Sequence, residues 1–345
     1  MPSQEVPPDS ADASGQTCLV TGATGAIGPT LVRALDAAGH VVRVLARSSP
    51  PPGLLPPGVE VVAGELTDAA AVAAAMTRVR WVFHLAAKLH LVNPPTAIHA
   101  EYHRVNVEGT RTIVEAAGRA AVERVVLFST ISVYGPSRGD VLSELSPLRP
   151  ETIYGVTKQA AERVVLDAMT SGQHRIGTVL RLAAVYGPRV KGNYRRLLDA
   201  MARGRFVPIG SGATRRTLVF EDDVVRAALL AASHPAAAGE AFNVTDGGLP
   251  ALRDIIRAIA GALGRTPPRV SLPVAPTRAA ALVVDRVAHM LGRSSVAIGP
   301  ALDKYLEDVA VDGRRLRERL GFAPSVTLED GWRRTVEQLR ARGEL

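Results

Sequence analysis

The stretch TGATGAIG, residues 21–28, follows the apolar run TCLV directly and opens a segment of helical periodicity. Its glycines, Gly22, Gly25 and Gly28, have the spacing G-x-x-G-x-x-G. Each has a physical use at a strand-to-helix turn. Gly22 permits the tight turn, Gly25 lets backbone approach a pyrophosphate, and Gly28 allows close helix–strand packing. The free N–H groups at the start of the helix then meet the phosphates. Gly-rich turns are common between strands and helices, so the triplet takes its meaning from its place after the first strand of an alternating series. Read there it is a dinucleotide loop, with Gly22, Thr24, Gly25, Ala26, Ile27 and Gly28 as candidate contacts.

That alternation runs through the first half of the chain. TCLVTGA (17–23), VVRVLAR (41–47), VEVVAG (59–64), WVFHLAA (81–87), RVVLFST (124–130) and RIGTVLRL (175–182) read as strands. Helical stretches at 26–38, 69–77, 100–118 and 155–171 lie between them. Continuously apolar strands separated by helices signal a parallel sheet covered on both faces. Beyond residue 186 the pattern loosens into short helices (194–203, 221–232, 250–263, 312–320, 327–342) and short strands (206–209, 216–220, 241–245). The expected fold is α/β, a Rossmann-type doubly wound parallel sheet over 16–185 that binds NAD(P). A smaller, interleaved C-terminal α+β lobe, 186–345, mainly binds substrate, and strands around 216–245 return to the sheet domain. Residues 1–15, rich in Pro, Ser and Asp without apolar periodicity, read as a disordered tail without the features of a signal peptide.

A chain of 345 residues with 47% hydrophobic content can bury a full core. Its one cysteine, Cys18, excludes an internal disulfide and reads as a buried thiol suited to a reducing cytoplasm. No apolar run is long enough to span a bilayer. The nearest, APTRAAALVVDRVAHML (275–291), is broken by Arg278, Asp285 and Arg286 and reads as an amphipathic helix that packs on the protein or touches a partner. The formal charge is +8, and the tail holds three acids (Glu5, Asp9, Asp12), leaving about +11 over the remainder. That balance favours anionic ligands. Scattered Lys and Arg with 4% aromatic content offer nucleic acid no stacking platform, so a phosphorylated small molecule is the expected partner and no metal site is expected.

The tip of the second strand, LARSS, carries Arg47 and no acid. An acid there would bond the adenosine ribose and repel a 2′-phosphate, so the cofactor is NAD or NADP with Arg47 leaning towards NADP. Glu65, with Leu66 beside it, is the candidate at the adenine edge. YGVTK (154–158) opens a helix, and its spacing sets Tyr154 and Lys158 on one face. A nearby ammonium favours phenolate, so the tyrosine pKa is expected to fall towards neutral, giving a proton-transfer device beside a hydride acceptor.

Taken with the hydroxyl pair Ser129–Thr130, these motifs form a recognisable set. TGATGAIG, HLAA (84–87), VNVEGT (105–110), STISVYG (129–135), YGVTK, LRLAAVYGP (180–188) and RRTLVFEDDVV (215–225) resemble an extended short-chain dehydrogenase/reductase of the NAD-dependent epimerase/dehydratase family. The resemblance covers nearly the whole chain after the tail. It implies that Tyr154 is the acid/base, that Lys158 tunes it while bonding the nicotinamide ribose, and that Thr130 bonds the reacting oxygen. Asn106 falls at the family's supporting Asn, or is a polar residue at a helix kink. Ala86 and Ala87 would line the cofactor channel, and His84 reads as a satisfied core or strand-end histidine. A homodimer through helices 100–118 and 155–171 is implied as well.

The reaction narrows after Thr130. Dehydratases and decarboxylases of the family carry Asp-Glu or Ser-Glu there; this chain has Ile131 and Ser132. Keto-sugar 3,5-epimerising reductases would want a Cys and His pair, and Cys18 is on the wrong strand. Hydride transfer at one carbinol remains. Residues 185–229 resemble the segment of nucleotide-sugar epimerases and 4-keto-sugar reductases that closes over a nucleotide diphosphate. Arg216 matches their phosphate-contacting Arg, and Arg215, Lys191 and Asn193 are candidates to share that work. Ala184 and Phe220 stand where many such enzymes have Asn and His, and the C-terminal third also resembles 3β-hydroxysteroid dehydrogenases and dihydroflavonol reductases. The leading expectation is an NAD(P)-dependent enzyme acting at C4 of an NDP-sugar, as a 4-epimerase or 4-ketoreductase. The alternative is a hydroxysteroid or ketone reductase. A non-catalytic NAD(P)-binding protein would typically have lost the Tyr or Lys, and both are present.

Overall fold

The computed structural model describes residues 15–89, 95–189, 191–290 and 298–345, so the expected tail lies outside the described residues except for Gly15. The sheet strands are β1 (Thr17–Thr21), β2 (Val41–Ala46), β3 (Glu60–Ala63), β4 (Trp81–His84), β5 (Arg124–Thr130) and β6 (Gly177–Leu182). Between and after them come α1 (Gly28–Ala37), α2 (Ala69–Ala75), α3 (His99–His103), α4 (Gly109–Arg119) and α5 (Ile153–Leu166). The rest is β7 (Ala184–Tyr186), α6 (Asn193–Ala202), β8 (Leu218–Phe220), α7 (Glu221–Ser233) and β9 (Glu240–Val244). Five helices follow: α8 (Leu252–Leu263), α9 (Val274–Met290), α10 (Ile298–Leu306), α11 (Arg314–Leu320) and α12 (Leu328–Ala341).

Seven strands pair in the order β3-β2-β1-β4-β5-β6-β9, every pair parallel. Strand order reverses between β1 and β4, which opens a crevice at the carboxyl ends of those strands. Both faces of β1 are buried. Cys18 and Val20 pack with Leu31, Leu35 and Ala228 of α1 and α7, while Leu19 packs with Val72 and Ile113 of α2 and α4. Burial pushes the Cys18 thiol up to about 12, with Arg80 pulling the other way, so it stays an inert thiol.

A separate core lies beyond the sheet, where β7 and β8 form a parallel pair. Tyr186 stacks on Trp332 at 4.9 Å and meets the edge of Phe220 at 5.4 Å. Leu198 of α6, Ile255 and Ile259 of α8, and Val336 of α12 close this cluster.

Four elements differ in some respect from the sequence expectation. The run at 206–209 makes only a single bridge, Ile209 to Leu272. Pro208 lacks an N–H, and its carbonyl alone is used, accepting from Leu272 N–H. The helix expected at 100–118 is present as one continuous helical run, with a π turn, Arg104–Glu108, between α3 and α4. There the Thr110 hydroxyl donates to the Asn106 carbonyl at 2.7 Å. β7 and α10 have no counterpart in the sequence reading. The amphipathic helix at 275–291 is α9, with Leu291 outside the described residues.

A buried polar network ties the carboxyl edge of the sheet to α5. Arg181 of β6 donates through Nε and Nη2 to Glu162 Oε2 of α5 at 3.0 and 2.8 Å, and the two side chains are 6% and 1% exposed. The Ser129 hydroxyl donates to the other carboxylate oxygen at 2.5 Å. Arg181 Nη1 donates to the Tyr134 phenol at 2.9 Å, which donates to Asn243 Oδ1 of β9 at 2.8 Å. Ser129 of the STISVYG turn is therefore an anchor between β5 and α5. Removing one partner of such a pair leaves an uncompensated charge and costs about 3–5 kcal/mol. Arg181→Met is expected to lose that much stability in urea denaturation, and Arg181→Met/Glu162→Met to recover part of it. A double variant no more stable than the single one would show that the two charges do not depend on each other.

Candidate active site

The crevice at the strand ends holds a cavity of about 580 Å³. One wall is the turn after β1. Gly22 has φ +74°, and a Cβ there would lie 2.6 Å from the Ala86 backbone nitrogen. A Cβ on Gly28 would lie 2.4 Å from the Ala23 carbonyl oxygen, so only glycine lets α1 start this close to β1. Thr24, Gly25, Ala26 and Ile27 line the same wall. Pro29 near the start of α1 has no N–H to orphan, the Thr30 N–H is bonded to the Ile27 carbonyl at 3.1 Å, and Ile27 and Gly28 ahead of them line the cavity. This cradle fits a dinucleotide pyrophosphate, because a backbone that no Cβ crowds can approach phosphate oxygens directly.

The other predicted cofactor residues take their places around that wall. Arg47 lines the cavity beyond β2 with an exposed side chain. Glu65 and Leu66 line it beyond β3, and Glu65 pairs with Arg104 at 2.9 Å. Ala86 and Ala87 line it beyond β4.

Thr130 and Tyr154 both line the cavity. Thr130 caps the turn that follows β5, where its Oγ1 accepts from Ser132 N–H at 3.1 Å and donates to Ser132 Oγ at 3.1 Å. Tyr154 lies in the first turn of α5, capped by Thr152, whose hydroxyl accepts from Gly155 N–H. Lys158 sits one turn further along, 2% exposed, and does not line the cavity. Phe128, Leu182, Ala183 and Val185 add apolar surface to the lining. Of these, Leu182 to Val185 lie within LRLAAVYGP, where the signal was present without an assigned contact.

The expected pKa of Tyr154 is not what the structure supports. Burial pushes the phenol up to about 12, with the neighbouring Tyr102 adding to the rise. Burial pulls the Lys158 ammonium down to about 8, opposed by the Glu162 carboxylate. Desolvation, rather than the attraction inferred from helical spacing, sets the direction of both shifts. The tyrosine is held as a phenol.

Asn106 does not reach the cavity. It is 2% exposed, and its side chain accepts from Lys88 N–H at 2.7 Å and donates to Lys88 O at 3.2 Å and Thr157 Oγ1 at 3.1 Å. It is a positioning residue that pins the segment after β4 to α5. His84 is fully buried between Thr21 Oγ1 at 2.7 Å and Thr110 Oγ1 at 3.0 Å. Thr110 gives its one proton to Asn106 O, so it accepts from His84 Nε2–H, which leaves Nδ1 to accept from Thr21. Burial, helped by Lys158, lowers the imidazole to about 3, so His84 is a neutral strut.

The four predicted substrate residues are not brought to the cavity. Arg215 is occupied by Asp308, with Nε at 3.0 Å and Nη2 at 2.6 Å from Oδ2. Arg216, 7% exposed, donates to the Lys304 and Tyr305 carbonyls at 3.5 and 2.5 Å, where the end of α10 leaves acceptors unpaired. Both guanidinia therefore secure α10 and the segment after it. Lys191 and Asn193 are exposed at the start of α6.

Comparison with known proteins places these features in context. The model of the NAD dependent epimerase/dehydratase family matches residues 18–245. UDP-glucose 4-epimerase of Vibrio cholerae is 27% identical over 329 residues, covering 93% of this chain and 95% of that protein. A 4-hydroxy-2-methyl-3-oxo-4-farnesyl-3,4-dihydroquinoline-1-oxide ketoreductase of Stigmatella aurantiaca is 30% identical over 331 residues, covering 94% and 96%. Among solved structures, MoeE5 in complex with UDP-glucose and NAD is 31% identical with a TM-score of 0.74, covering 95% of this chain and 99% of that one.

The Lys158 shift has a consequence for stability. The unfolded lysine titrates near 10.5 and the native one near 8, so the native state is penalised for carrying the charge. The penalty is complete below pH 8, shrinks between 8 and 10.5 as native Lys158 loses its proton first, and is absent above. Lys158→Met is expected to melt higher than the parent at pH 7, at about 1.4 kcal/mol per pKa unit, with the advantage narrowing by pH 10. An equal gain at both pH values would contradict a buried charge as its source.

Proposed function

The chain belongs to the NAD dependent epimerase/dehydratase family, and from that membership we propose an NAD(P)-dependent enzyme acting at C4 of an NDP-sugar, as a 4-ketoreductase or 4-epimerase. The observation that carries the proposal is the placement of Thr130 and Tyr154 on the cavity that the glycine cradle opens, with Lys158 one turn further along α5. When bound, the nicotinamide cofactor supplies or accepts the hydride. The protein's residues do the rest. Thr130 Oγ1 turns from Ser132 to hold the reacting oxygen, and the Tyr154 phenol carries the proton exchanged with it. The Lys158 ammonium stabilises the phenolate left when that proton is given up. A phenol held protonated is the form from which ketone reduction starts, which suits a 4-ketoreductase. No carboxylate follows Thr130 to move protons at neighbouring carbons, which restricts the chemistry to one centre.

Similarity to an epimerase of UDP-glucose and to MoeE5 bound to UDP-glucose supports the sugar nucleotide. In this reading Lys191 and Asn193 meet the diphosphate from the start of α6, and Arg215 and Arg216 join only by leaving α10. A second reading has its own observation. The apolar lining of Phe128, Leu182, Ala183 and Val185, and the similarity to a ketoreductase of a farnesylated quinoline oxide, suit an apolar ketone. Thermal-shift titrations with cofactor present separate the two: UDP- or dTDP-sugars stabilise the protein under the first, and only a ketosteroid or similar apolar ketone under the second. We also propose a homodimer across the α4–α5 face, where a groove is lined by Val107, Arg111, Ala160 and Val164, and a cytoplasmic setting in keeping with the free Cys18.

Two substitutions test the assignments. Tyr154→Phe is expected to lower turnover roughly 10²–10⁴-fold while cofactor affinity changes little, read by steady-state kinetics and cofactor fluorescence. Retained turnover would reject Tyr154 as the acid. Arg47→Ala is expected to raise KM for NADPH several-fold and leave KM for NADH unchanged; equal effects on both would show that Arg47 does not read the 2′-phosphate.

A further inference from the structure

Helix α9 presents an apolar face that no part of the described chain covers. At 3.6 residues per turn, Val274, Ala281 and Asp285 share one side, towards α10. There Asp285 Oδ2 accepts from Gly299 N–H at 2.9 Å, and Ala281 is 4% exposed. The opposite arc carries Leu282, Val283, Val284, Val287 and Met290, exposed by 60, 62, 50, 49 and 81%. None of the five belongs to a hydrophobic cluster of the fold, and small alanines fill the arc between them. Contiguous exposed apolar surface of this kind marks an interaction site.

The charges on the same helix identify its partner. The one acid, Asp285, is turned inward to α10, so the charged groups left at the exposed arc and its margin are cationic. Arg286 lies within the arc and has no ion-pair partner among the described residues; Arg278, at its margin, reaches Asp303 of α10 at 2.6 Å. A second copy docked by a two-fold axis would set the Arg286 side chains of both copies in one apolar interface, which is unfavourable. An apolar helical face bearing only cations matches the boundary between anionic headgroups and acyl chains. No helix among the described residues is long and apolar enough to cross a membrane, so the contact is with the surface.

We propose that α9 docks this protein on the surface of an anionic phospholipid bilayer, with Leu282, Val283, Val287 and Met290 entering the headgroup–acyl boundary and Arg286 meeting lipid phosphates. Flotation of the full chain with vesicles of equal parts phosphatidylglycerol and phosphatidylcholine tests it, with pure phosphatidylcholine vesicles as the comparison. The expected result is preferential binding to the anionic vesicles, weakened by salt. Val283→Asp/Val287→Asp, at exposed positions and checked for an unchanged melting temperature, should lower partitioning about 100-fold or more. Arg286→Ala should lower it about five-fold. Failure of the parent chain to bind anionic vesicles, or equal binding by the Val283→Asp/Val287→Asp variant, would overturn the proposal. So would loss of a self-associated species in sedimentation velocity on that substitution with no vesicle binding by the parent, which would assign the face to a second copy.

Discussion

The Lys158 ammonium lies 2% exposed between the sheet and α5, and a charge in that place needs an opposing charge close by. Glu162 supplies it from one helical turn further on, raising the Lys158 pKa against the larger effect of burial. Glu162 is itself held by Arg181 and Ser129. The sequence of dependence thus runs from β6 through the carboxylate to the lysine. Because Arg181 also bonds Tyr134, and Tyr134 bonds Asn243, the same charges fix the carboxyl edges of β5, β6 and β9 relative to α5. Fold and site share one electrostatic support.

A second, uncharged support holds the opposite wall. His84, neutral and bonded at both ring nitrogens, links Thr21 beside the glycine turn to Thr110 at the π turn. Asn106, within that turn, clamps the backbone at Lys88 and reaches Thr157 on α5. Ala86 N–H closes the circuit onto Thr21 at 3.3 Å. The glycine turn and α5 are joined through His84, Thr110 and Asn106, none of which lines the cavity.

The sheet was legible in the sequence because continuous apolar runs and a glycine turn report local physics. Residues 17–21 are β-type and wholly apolar apart from the threonines, and the Gly28 spacing admits one kind of helix packing. Legibility ended where tertiary partners decide. Pro208 spoiled a strand through one missing N–H, and β7 is too short to announce itself. Arg215 and Arg216 carry the composition of an anion site, yet their partners are Asp308 and the last carbonyls of α10, an element the sequence pattern did not reveal. Helical spacing placed Tyr154 beside Lys158, but spacing does not report desolvation, and desolvation sets the direction of both pKa shifts.

The claim on which the functional reading rests is that only one carbon of the substrate changes, by hydride transfer, with Tyr154 moving a proton on oxygen alone. Turnover in D2O followed by mass spectrometry of the recovered sugar nucleotide measures this directly. The expected product carries no solvent deuterium on any carbon. Deuterium at a carbon next to the reacting centre would contradict it, since that requires a second proton carrier of the kind that Ile131 and Ser132 do not provide.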